Sequence, residues 1–405
     1  MSWQRVDWAP NSTGPLTGVR VLDASRLVAG NMCSLQMADF GADVVKVEPL
    51  PSGDPLRAWA QRGVSTFWKA YARNKRSVGL DFRADGAVPL LGRLIEQADV
   101  FIENFRPGTL EKMGLAPEDL IARHPGLIVL RVSGFGQTGP YAPRPGFGTL
   151  VEGMSGFASR NGMADGPPLL PPLALADMIA GLYGANAVAM ALRARDQSGR
   201  GQIIDLALLD AMTSVLGPEA MDYALTSKVK PRVGNASNTA APRNAYRSSD
   251  GQFIVVSGSM QSMAERLFTA IGRADLISDP RFVSNAKRLE NRDALDAIIG
   301  DWFAKISRAE ALDILGAAGV TACPLNDIAD IADDIHFRDR GLYVEVPDAD
   351  LGHAAIHGPL PRLSATPGSL RSPAPTLGEH TDAVLAECGL SPAEIAAARG
   401  MGLVA

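Results

Sequence analysis

Cysteine and histidine are scarce in this 405-residue sequence. The three cysteines, Cys33, Cys323 and Cys388, lie far apart, without the spacing of a zinc site or of a disulfide framework. We therefore predict a protein of the reducing cytoplasm that holds no metal. The five histidines are scattered, and neither a Gly-x-Ser-x-Gly motif nor a cysteine-centred motif occurs, which argues against a hydrolase triad.

Long apolar runs and an excess of positive charge are also missing. No unbroken apolar run reaches eighteen residues, and the N-terminal stretch lacks the basic start and apolar core of a signal peptide. The formal net charge of −5 argues against a general nucleic-acid surface. We expect a soluble globular protein with neither a membrane nor a nucleic acid as partner, and its length favours two domains.

Strand and helix patterns alternate along the first half of the sequence. The run GVRVLDAS at 18–25, a helical stretch through Phe40 and the run ADVVKVE ending at Glu48 indicate one βαβ unit. Further strand patterns, SVGLDF, ADVFIEN ending at Asn104 and GLIVLRVSG ending at Gly134, alternate with helical ones. This alternation predicts an α/β domain with a largely parallel sheet, in which ligands collect at the carboxyl ends of the strands.

A boundary is predicted in the loop-like segment from about Lys228 to Ser249, which is rich in Pro, Gly, Asn and Ser. The strand pattern FIVVSGS and several helical stretches follow, and they predict a smaller α/β or α+β domain. Residues 321–405 are rich in Pro and Gly until the final helical run SPAEIAAARG.

The most informative stretch is residues 171–192, PPLALADMIAGLYGANAVAMAL, which holds one acid, Asp177, among uncharged and mostly apolar residues. The pattern from Met178 onward predicts a buried helix whose first turn begins at Asp177, with Gly181 and Gly184 as small faces. Removing a carboxylate from water is costly unless it is hydrogen-bonded or paired. Asp177 is therefore either the N-cap of this helix or a poorly solvated nucleophile or general base.

Two further motifs are less specific. Gly134 to Gly139 matches GxGxxG after a strand, but Pro140 follows at once, so a glycine-rich turn is favoured over a dinucleotide site. The basic run Arg73 to Arg76 is either a solvated turn or a clamp for the phosphates of a nucleotide-bearing cofactor. Arg106 and Lys112 are further candidates for phosphate contacts.

Motifs spread over nearly the whole chain resemble the class III coenzyme A transferases, the family of formyl-CoA transferase, carnitine CoA-transferase and the α-methylacyl-CoA racemases. The matching motifs are GVRVLD (18–23), GADVVKVE (41–48), GDPLR (53–57), RNKRSVGLDFR (73–83), ADVFIENFRPG (98–108), MGL (113–115), SGFGQTGP (133–140), ALADMIAG (174–181), SGRGQIIDLAL (198–208) and LGEHTD (377–382).

The resemblance implies an enzyme that moves CoA from an acyl-CoA donor to a carboxylic acid acceptor. Asp177 falls on the family's nucleophile, which forms an aspartyl-acyl anhydride and an aspartyl-CoA thioester. CoA is then a substrate, and no cofactor is bound permanently. The family's CoA contacts fall on Leu27, Val28, Leu80, Asp81, Phe82, Arg83, Asn104, Phe105, Arg106, Lys112, Met113, Gly146, Phe147 and Gly148. One family arginine falls on Pro49, and residues 234–244 lack the glycine run that covers the aspartate in formyl-CoA transferase.

Alternatives remain within and beyond this family. A racemase or epimerase acting at the α-carbon needs a histidine partner for the aspartate, and Phe147 occupies that position, which favours the transferase. A CoA-binding protein without catalysis is the third hypothesis. For a transferase, Arg73 and Arg243 are candidates to hold the far carboxylate of a dicarboxylic acid.

The resemblance also implies an assembly and a division into domains. Members of the family are homodimers of two interlocked rings, and we expect the same here. The expected large domain is Rossmann-like, binds CoA and contains residues 1–220 and 325–405. The expected small domain contains residues 225–325.

Overall fold

The computed structural model describes residues 3–405. Its strands are β1 (Gln4–Arg5), β2 (Arg20–Asp23), β3 (Asp43–Pro49), β4 (Lys75–Leu80), β5 (Val100–Glu103), β6 (Ile128–Ser133), β7 (Ile203–Ala207), β8 (Arg243–Arg247), β9 (Phe253–Ser257), β10 (Ala322–Pro324), β11 (Tyr343–Asp348) and β12 (Gly352–His357).

Its helices are α1 (Leu27–Asp39), α2 (Thr66–Tyr71), α3 (Ala87–Glu96), α4 (Thr109–Lys112), α5 (Pro117–Arg123), α6 (Gly148–Met154), α7 (Phe157–Arg160), α8 (Leu175–Ser198), α9 (Leu208–Ser214), α10 (Glu219–Thr226), α11 (Gln261–Ala270), α12 (Asn285–Glu290), α13 (Arg292–Phe303), α14 (Arg308–Ala317), α15 (Ile328–Asp333), α16 (Ile335–Asp339), α17 (Thr381–Glu387) and α18 (Pro392–Gly400). Single 3₁₀ turns lie at Pro55–Ala58 and Ala274–Ile277.

Six parallel strands form the central sheet, in the order β4-β3-β2-β5-β6-β7. Counted from β2 as the first strand, this is the order 3-2-1-4-5-6 of doubly wound α/β folds. One face packs against α3, α17 and α18, and the other against α1, α8 and α9. Both faces are therefore buried, which explains the unbroken Val and Ile runs of these strands. The predicted α/β fold with a largely parallel sheet is confirmed.

The strand order reverses between β2 and β5, which are neighbours in the sheet. Connections leave this pair in opposite directions, so a crevice opens outside their carboxyl ends, where open α/β sheets bind ligands. Arg26 and Leu27 follow the end of β2, and residues 104–106 follow the end of β5. The topology alone thus brings two groups of the predicted CoA-binding residues to one place.

Two glycines allow α8 to lie close against its neighbours. A Cβ atom on Gly181 would come 2.6 Å from Met32 Cβ and 2.8 Å from the carbonyl oxygen of Ala29, both on α1. A Cβ atom on Gly184 would come 3.1 Å from Cys33 Sγ. The predicted small faces at Gly181 and Gly184 are confirmed, because any larger residue would push α8 away from α1.

The helix α8 is also long and apolar enough, by length and composition alone, to span a membrane. A core helix of a globular protein passes the same test. This helix packs against α1, α6, α9 and β6, and 39% of its most apolar window is buried.

A small sheet unites residues from distant parts of the sequence. Strand β1 pairs in parallel with β11, and β11 forms an antiparallel hairpin with β12. The hairpin buries Val344, Val346, Ala354 and Ile356 on one face. Strands β11 and β12 were not predicted from the sequence, because the prolines and glycines of residues 321–405 obscure the alternating pattern.

Residue contacts divide the chain into two compact units. The first contains residues 3–157, Pro171–Gly217 and Ile335–Ala405, and the second contains Ala158–Leu170 and Pro218–Asp334. In the second unit, β8, β9 and β10 form an antiparallel sheet packed against α11, α13 and α14. Of the two organisations predicted for the smaller domain, this unit has the α+β one. The assignment of CoA binding to the large domain stays a prediction.

Candidate active site

A cleft of about 350 Å³ lies at the carboxyl edge of the central sheet. Its walls come from the segments that follow β2, β5 and β6 and from the first turn of α8. Asp177 lines this cleft together with six of the residues predicted to bind CoA: Leu27, Asn104, Phe105, Arg106, Gly146 and Phe147.

Asp177 is the third residue of α8, whose N-cap is Ala174. The helix therefore begins two residues before the predicted position, and the interpretation of Asp177 as the N-cap is wrong. The side chain is only partly exposed. Burial and, second, repulsion from Glu152 raise the pKa of Asp177 to about 6, against the opposing effect of its own backbone N–H. A carboxylate destabilised in this way is more basic than an exposed one and suits a nucleophile or base.

Helix α6 supplies the two closest features of this environment. Glu152 is 2% exposed, and its Oε1 accepts a hydrogen bond from the backbone N–H of Ala176 over 3.1 Å. Gly148 is the first residue of α6 and lies against Asp177. A Cβ atom on residue 148 would come 2.2 Å from Asp177 Oδ2. Gly148 was predicted from the family resemblance, whereas Glu152 was missed. Its only signal was an acid inside the apolar run TLVEGM.

Three arginines, Arg26, Arg106 and Arg144, line the same cleft. Within residues 3–405, none of them has a carboxylate within 4.0 Å. The guanidinium carbon of Arg144 lies 3.8 Å from the centre of the Tyr141 ring, a cation–π contact that restrains this side chain. Unpaired arginines gathered around a cleft indicate an anionic ligand.

Asn104 positions the loop after β2. Its Oδ1 accepts a hydrogen bond from the backbone N–H of Arg26 over 2.9 Å, and its Nδ2 donates to the carbonyl oxygen of Arg26 over 2.8 Å. The neighbouring Glu103 is buried and accepts hydrogen bonds from the Phe105 backbone N–H over 2.7 Å and from Arg131 Nε over 2.8 Å. These side chains thus hold the backbones of both cleft-lining segments.

A buried cluster of charged side chains holds the loop that follows β2. Lys46 Nζ lies 3.2 Å from Asp23 Oδ1 and 3.3 Å from Asp54 Oδ2, and all three side chains are fully buried. Asp54 also accepts hydrogen bonds from the backbone N–H of Leu27 over 3.0 Å and from Asn31 Nδ2 over 2.8 Å. Leu27 has a φ of 63°, which a branched side chain rarely adopts. The cluster therefore maintains a backbone conformation that Leu27 would not take on its own.

The basic run Arg73 to Arg76 does not form a phosphate clamp. Arg73 is fully buried, and its Nη2 lies 2.6 Å from Asp39 Oδ2. Lys75 is 2% exposed, and burial lowers its pKa to about 7. Arg76 pairs with two acids from distant segments, Asp43 and Glu387. Both the phosphate-clamp interpretation and the assignment of Arg73 to a substrate carboxylate are therefore wrong, because these side chains are committed to internal partners.

The remaining predicted residues lie outside the lining of this cleft. The side chains of Val28 and Leu80 are buried, at 2% and 0% exposure, so any CoA contact there is left to the backbone. The ring of Phe82 packs edge-on against Phe105, with 6.0 Å between ring centres. This contact brings the segment Leu80, Asp81, Phe82 and Arg83 beside residues 104–106. Met113 packs in the same core, Arg83 and Lys112 are exposed, and Arg243 is exposed at the start of β8 in the second unit.

The GxGxxG-like segment contributes Gly134 to the lining of the cleft. No helix begins between Gly134 and Phe147, so the favoured interpretation of residues 134–139 as a glycine-rich turn is confirmed. A Cβ atom on Gly134 would come 2.6 Å from the Cα atom of Gly146. Two backbone segments thus approach each other closely at these glycines, which both line the cleft.

Comparison with known proteins agrees with this geometry. A family model described as CoA-transferase family III matches residues 16–381. The chain belongs to this family. The match covers the crevice at the β2–β5 reversal, the arginine-lined cleft and the helix that carries Asp177, and it makes CoA thioesters the substrates of this class III CoA-transferase.

Named relatives cover almost all of the chain. The β subunit of a succinyl-CoA–L-malate CoA-transferase from Chloroflexus aurantiacus is 41% identical, over 93% of this chain and 94% of its own length. A succinyl-CoA–D-citramalate CoA-transferase of that organism is 37% identical, over 94% of this chain and 96% of its own length. A crystal structure of a CAIB/BAIF family protein from Brucella suis has a TM-score of 0.81 and 36% identity, covering 93% of this chain and 100% of that one. The chain is therefore an enzyme of this transferase family.

We expect Gly148→Ala to reduce kcat/KM by about a hundredfold or more, because a Cβ atom at this place displaces the Asp177 carboxylate and misplaced catalytic groups lose rates of this order. The backbone of residue 148 does not require glycine, so the unfolding midpoint should hold or rise slightly. Steady-state kinetics and thermal unfolding of the same preparations would test both expectations.

The matched control is Gly153→Ala in the same helix, where a Cβ atom would meet open space. This variant should keep the wild-type kcat/KM. Equal activities of the two variants would show that Asp177 tolerates displacement or that its position does not matter for the reaction.

Proposed function

We propose that this class III enzyme transfers CoA between dicarboxylic acids, with Asp177 as the nucleophile. The observation that carries the proposal is a poorly solvated carboxylate, with its pKa raised to about 6, in a cleft lined by three unpaired arginines. The two Chloroflexus relatives are named for succinyl-CoA with malate or citramalate, and both of these acceptors are dicarboxylic.

The reaction begins when a carboxylate oxygen of Asp177 attacks the carbonyl carbon of the bound acyl-CoA. The carbon–sulfur bond breaks, CoA leaves as the thiolate, and an aspartyl-acyl anhydride remains. The thiolate then attacks the aspartyl carbonyl carbon, which releases the donor acid and forms an aspartyl-CoA thioester. The acceptor carboxylate reverses these two steps and leaves as its CoA thioester, and Asp177 is again an ionised carboxylate.

Several features of the cleft suit this sequence of steps. A raised pKa near 6 leaves Asp177 ionised at neutral pH and more nucleophilic than an exposed carboxylate. An anhydride that meets water is lost to hydrolysis, so the site must be dry. Leu27, Phe147 and Leu208 contribute apolar side chains to the lining of the cleft, although Phe147 itself is 61% exposed.

The racemase alternative is disfavoured by the lining of the cleft. Proton exchange at an α-carbon needs a second acid–base group opposite Asp177. Phe147 lines the cleft at the position where the racemases carry histidine, and none of the histidines described by the structure lines it.

We expect incubation with succinyl-CoA, followed by hydroxylamine trapping and peptide mapping by mass spectrometry, to label the peptide that contains Asp177. The label should be absent from Asp177→Ala, because this variant has no carboxylate to acylate. Acceptor turnover should fall below detection in the same variant.

The alternatives give different results in that experiment. Deuterium incorporation at the α-carbon without a label would support the racemase. Tight CoA binding with neither signal, unchanged in Asp177→Ala, would support a CoA-binding protein without catalysis.

We propose Arg144 as the residue that holds the far carboxylate of the substrate. It lines the cleft with Asp177, lacks an internal carboxylate partner and is restrained by Tyr141. Arg106, by contrast, falls on a CoA contact of the family. Arg144 thereby takes the place of Arg73, which is buried against Asp39.

We expect Arg144→Ala to raise the KM of dicarboxylic acceptors about tenfold to a hundredfold, the loss that removal of a charged hydrogen bond brings. The KM of a monocarboxylic acid of equal length should change little, and so should all constants of the surface control Arg340→Ala. Initial rates with matched acceptor pairs would test this. An unchanged KM for every dicarboxylic acceptor would exclude Arg144 from substrate binding.

We also propose that the chain is a homodimer. The helix α8, which is long and apolar enough to pass the test for a membrane span, exposes Leu182, Tyr183 and Met190 at 49%, 44% and 60%. The helix α10 in the second unit has no buried residue and exposes Met221, Tyr223 and Leu225. Exposed apolar faces of this kind are typical of protein interfaces. A second copy of the chain is the proposed occupant, and a cytoplasmic location stays a prediction.

Light scattering coupled to size-exclusion chromatography should give twice the mass of one chain for the wild-type protein. The variant Met190→Glu should shift the protein toward the monomer, because it places a charge in the apolar face. A monomeric wild-type protein would contradict the proposal. Dimerisation only with a second, different chain would point to unlike subunits, as the name of the malate relative implies for that protein.

A further inference from the structure

We infer that Glu152 is a positioning residue of the transfer reaction, whose buried negative charge destabilises the ionised Asp177 and is relieved when Asp177 becomes acylated. The inference rests on the proposed role of Asp177 as the nucleophile. It assigns to Glu152 a function beyond the hydrogen bond that it makes to the helix.

The geometry places an unpaired charge beside the nucleophile. Glu152 is 2% exposed, and within residues 3–405 it has no Lys, Arg or His nitrogen within 4.0 Å. Acids are rarely buried without such a partner. The Glu152 carboxylate instead accepts the hydrogen bond from the backbone N–H of Ala176, at the N-terminal end of the 24-residue helix α8. The partial positive charge of this helix end is complementary to a carboxylate at that place.

Other ionisable groups on the elements around α8 have their charges engaged or exposed. Asp39 of α1 pairs with Arg73, and Arg131 of β6 pairs with Glu103. Asp205 of β7 accepts a hydrogen bond from the Gln137 backbone, and Asp210 of α9 is exposed. The cleft itself contributes Arg26, Arg106 and Arg144.

Among these groups, Glu152 is the charge that raises the pKa of Asp177, in addition to burial. The carboxylate of Glu152 and that of Asp177 therefore form a like-charged pair on neighbouring helices.

The repulsion between Glu152 and Asp177 changes in the course of the proposed reaction. When Asp177 attacks the thioester, its negative charge passes through the tetrahedral oxyanion to the departing sulfur, and the resulting anhydride is neutral at Asp177. The aspartyl-CoA thioester is neutral there as well. Repulsion from Glu152 therefore acts on the free carboxylate and is absent in both covalent intermediates. This difference favours acylation, as an interaction must if it is to speed a chemical step.

A merely structural role would require only the hydrogen bond to Ala176. Glu152→Gln retains an acceptor oxygen and the side-chain size but removes the charge, whereas Glu152→Met removes both. Asp210→Asn, which removes an exposed charge from α9 beside α8, is the matched control.

The experiment measures kcat/KM against pH with succinyl-CoA as donor, together with the fraction of Asp177 that carries a trapped acyl label at steady state. Wild type should lose activity below about pH 6, where Asp177 becomes protonated. Removal of a neighbouring negative charge lowers the pKa of a carboxyl group, so in Glu152→Gln this acid limb should move to lower pH by about half a unit or more. On the plateau, kcat/KM should fall about threefold or more because the nucleophile is less basic, and the labelled fraction should fall as well.

The inference requires Glu152→Met to show the same displacement of the acid limb. This variant therefore tests the role of the Glu152 charge if Glu152→Gln does not fold. Asp210→Asn should keep the wild-type profile. An acid limb that stays near pH 6 in either folded Glu152 variant, with an unchanged labelled fraction, overturns the inference alone. A wild-type enzyme that never carries a label at Asp177 overturns the proposed function first, and the two failures are thus distinguishable.

Discussion

The close contact between α1 and α8 determines where the Asp177 carboxylate lies. Gly181 permits this contact, and it stands one helical turn after Asp177 on the same side of α8. Both helices run back along the parallel sheet, so both begin at its carboxyl edge. Their N-terminal ends bring partial positive charge to the cleft, which suits the thioester oxyanions, carboxylates and phosphates of the proposed substrates. Sheet topology, helix packing and the chemistry of anions therefore coincide at one edge.

The loop after β2 depends on a second constraint, the buried charges beneath it. Although burial works against ionisation, Lys46 and Lys75 hold the pKa of Asp23 below its usual value. Lys46 also joins Asp23 to Asp54, which fixes the left-handed backbone of Leu27. Such clusters often add little net stability, but they specify one arrangement of the groups that they connect. Here the specified arrangement is one wall of the cleft.

Much of the fold and the central residue of the site could be predicted from local sequence. The ends of the strands near Glu48, Asn104 and Gly134 were predicted to within one residue, because buried parallel strands are short runs of β-branched residues between clear turns. Asp177 was conspicuous as a single acid in an apolar stretch. Its neighbour Glu152 was not, because nothing in the sequence shows that α6 packs against the first turn of α8.

The basic run Arg73 to Arg76 was misinterpreted because its tertiary contacts are not visible in the sequence. Arg73 and Arg76 look like an exposed basic cluster when only adjacent residues are considered. Their acidic partners, Asp39, Asp43 and Glu387, come from segments that the fold brings together, and the last is more than three hundred residues away. Charge in a sequence therefore indicates function only when its partners are known. In this chain the unpaired arginines that line the cleft were less conspicuous than the paired ones.

The discontinuity of the first unit has a consequence for how the protein is made. Its last segment begins at Ile335, and Leu385 and Val404 from that segment pack into the same core as Leu80 on the outer strand β4. A ribosome must therefore synthesise the whole second unit before this edge strand is covered. Until then β4 presents unpaired backbone groups and apolar side chains, which are the features that lead nascent chains to aggregate. The order of elements along the chain thus makes completion of the large unit a late event in biosynthesis.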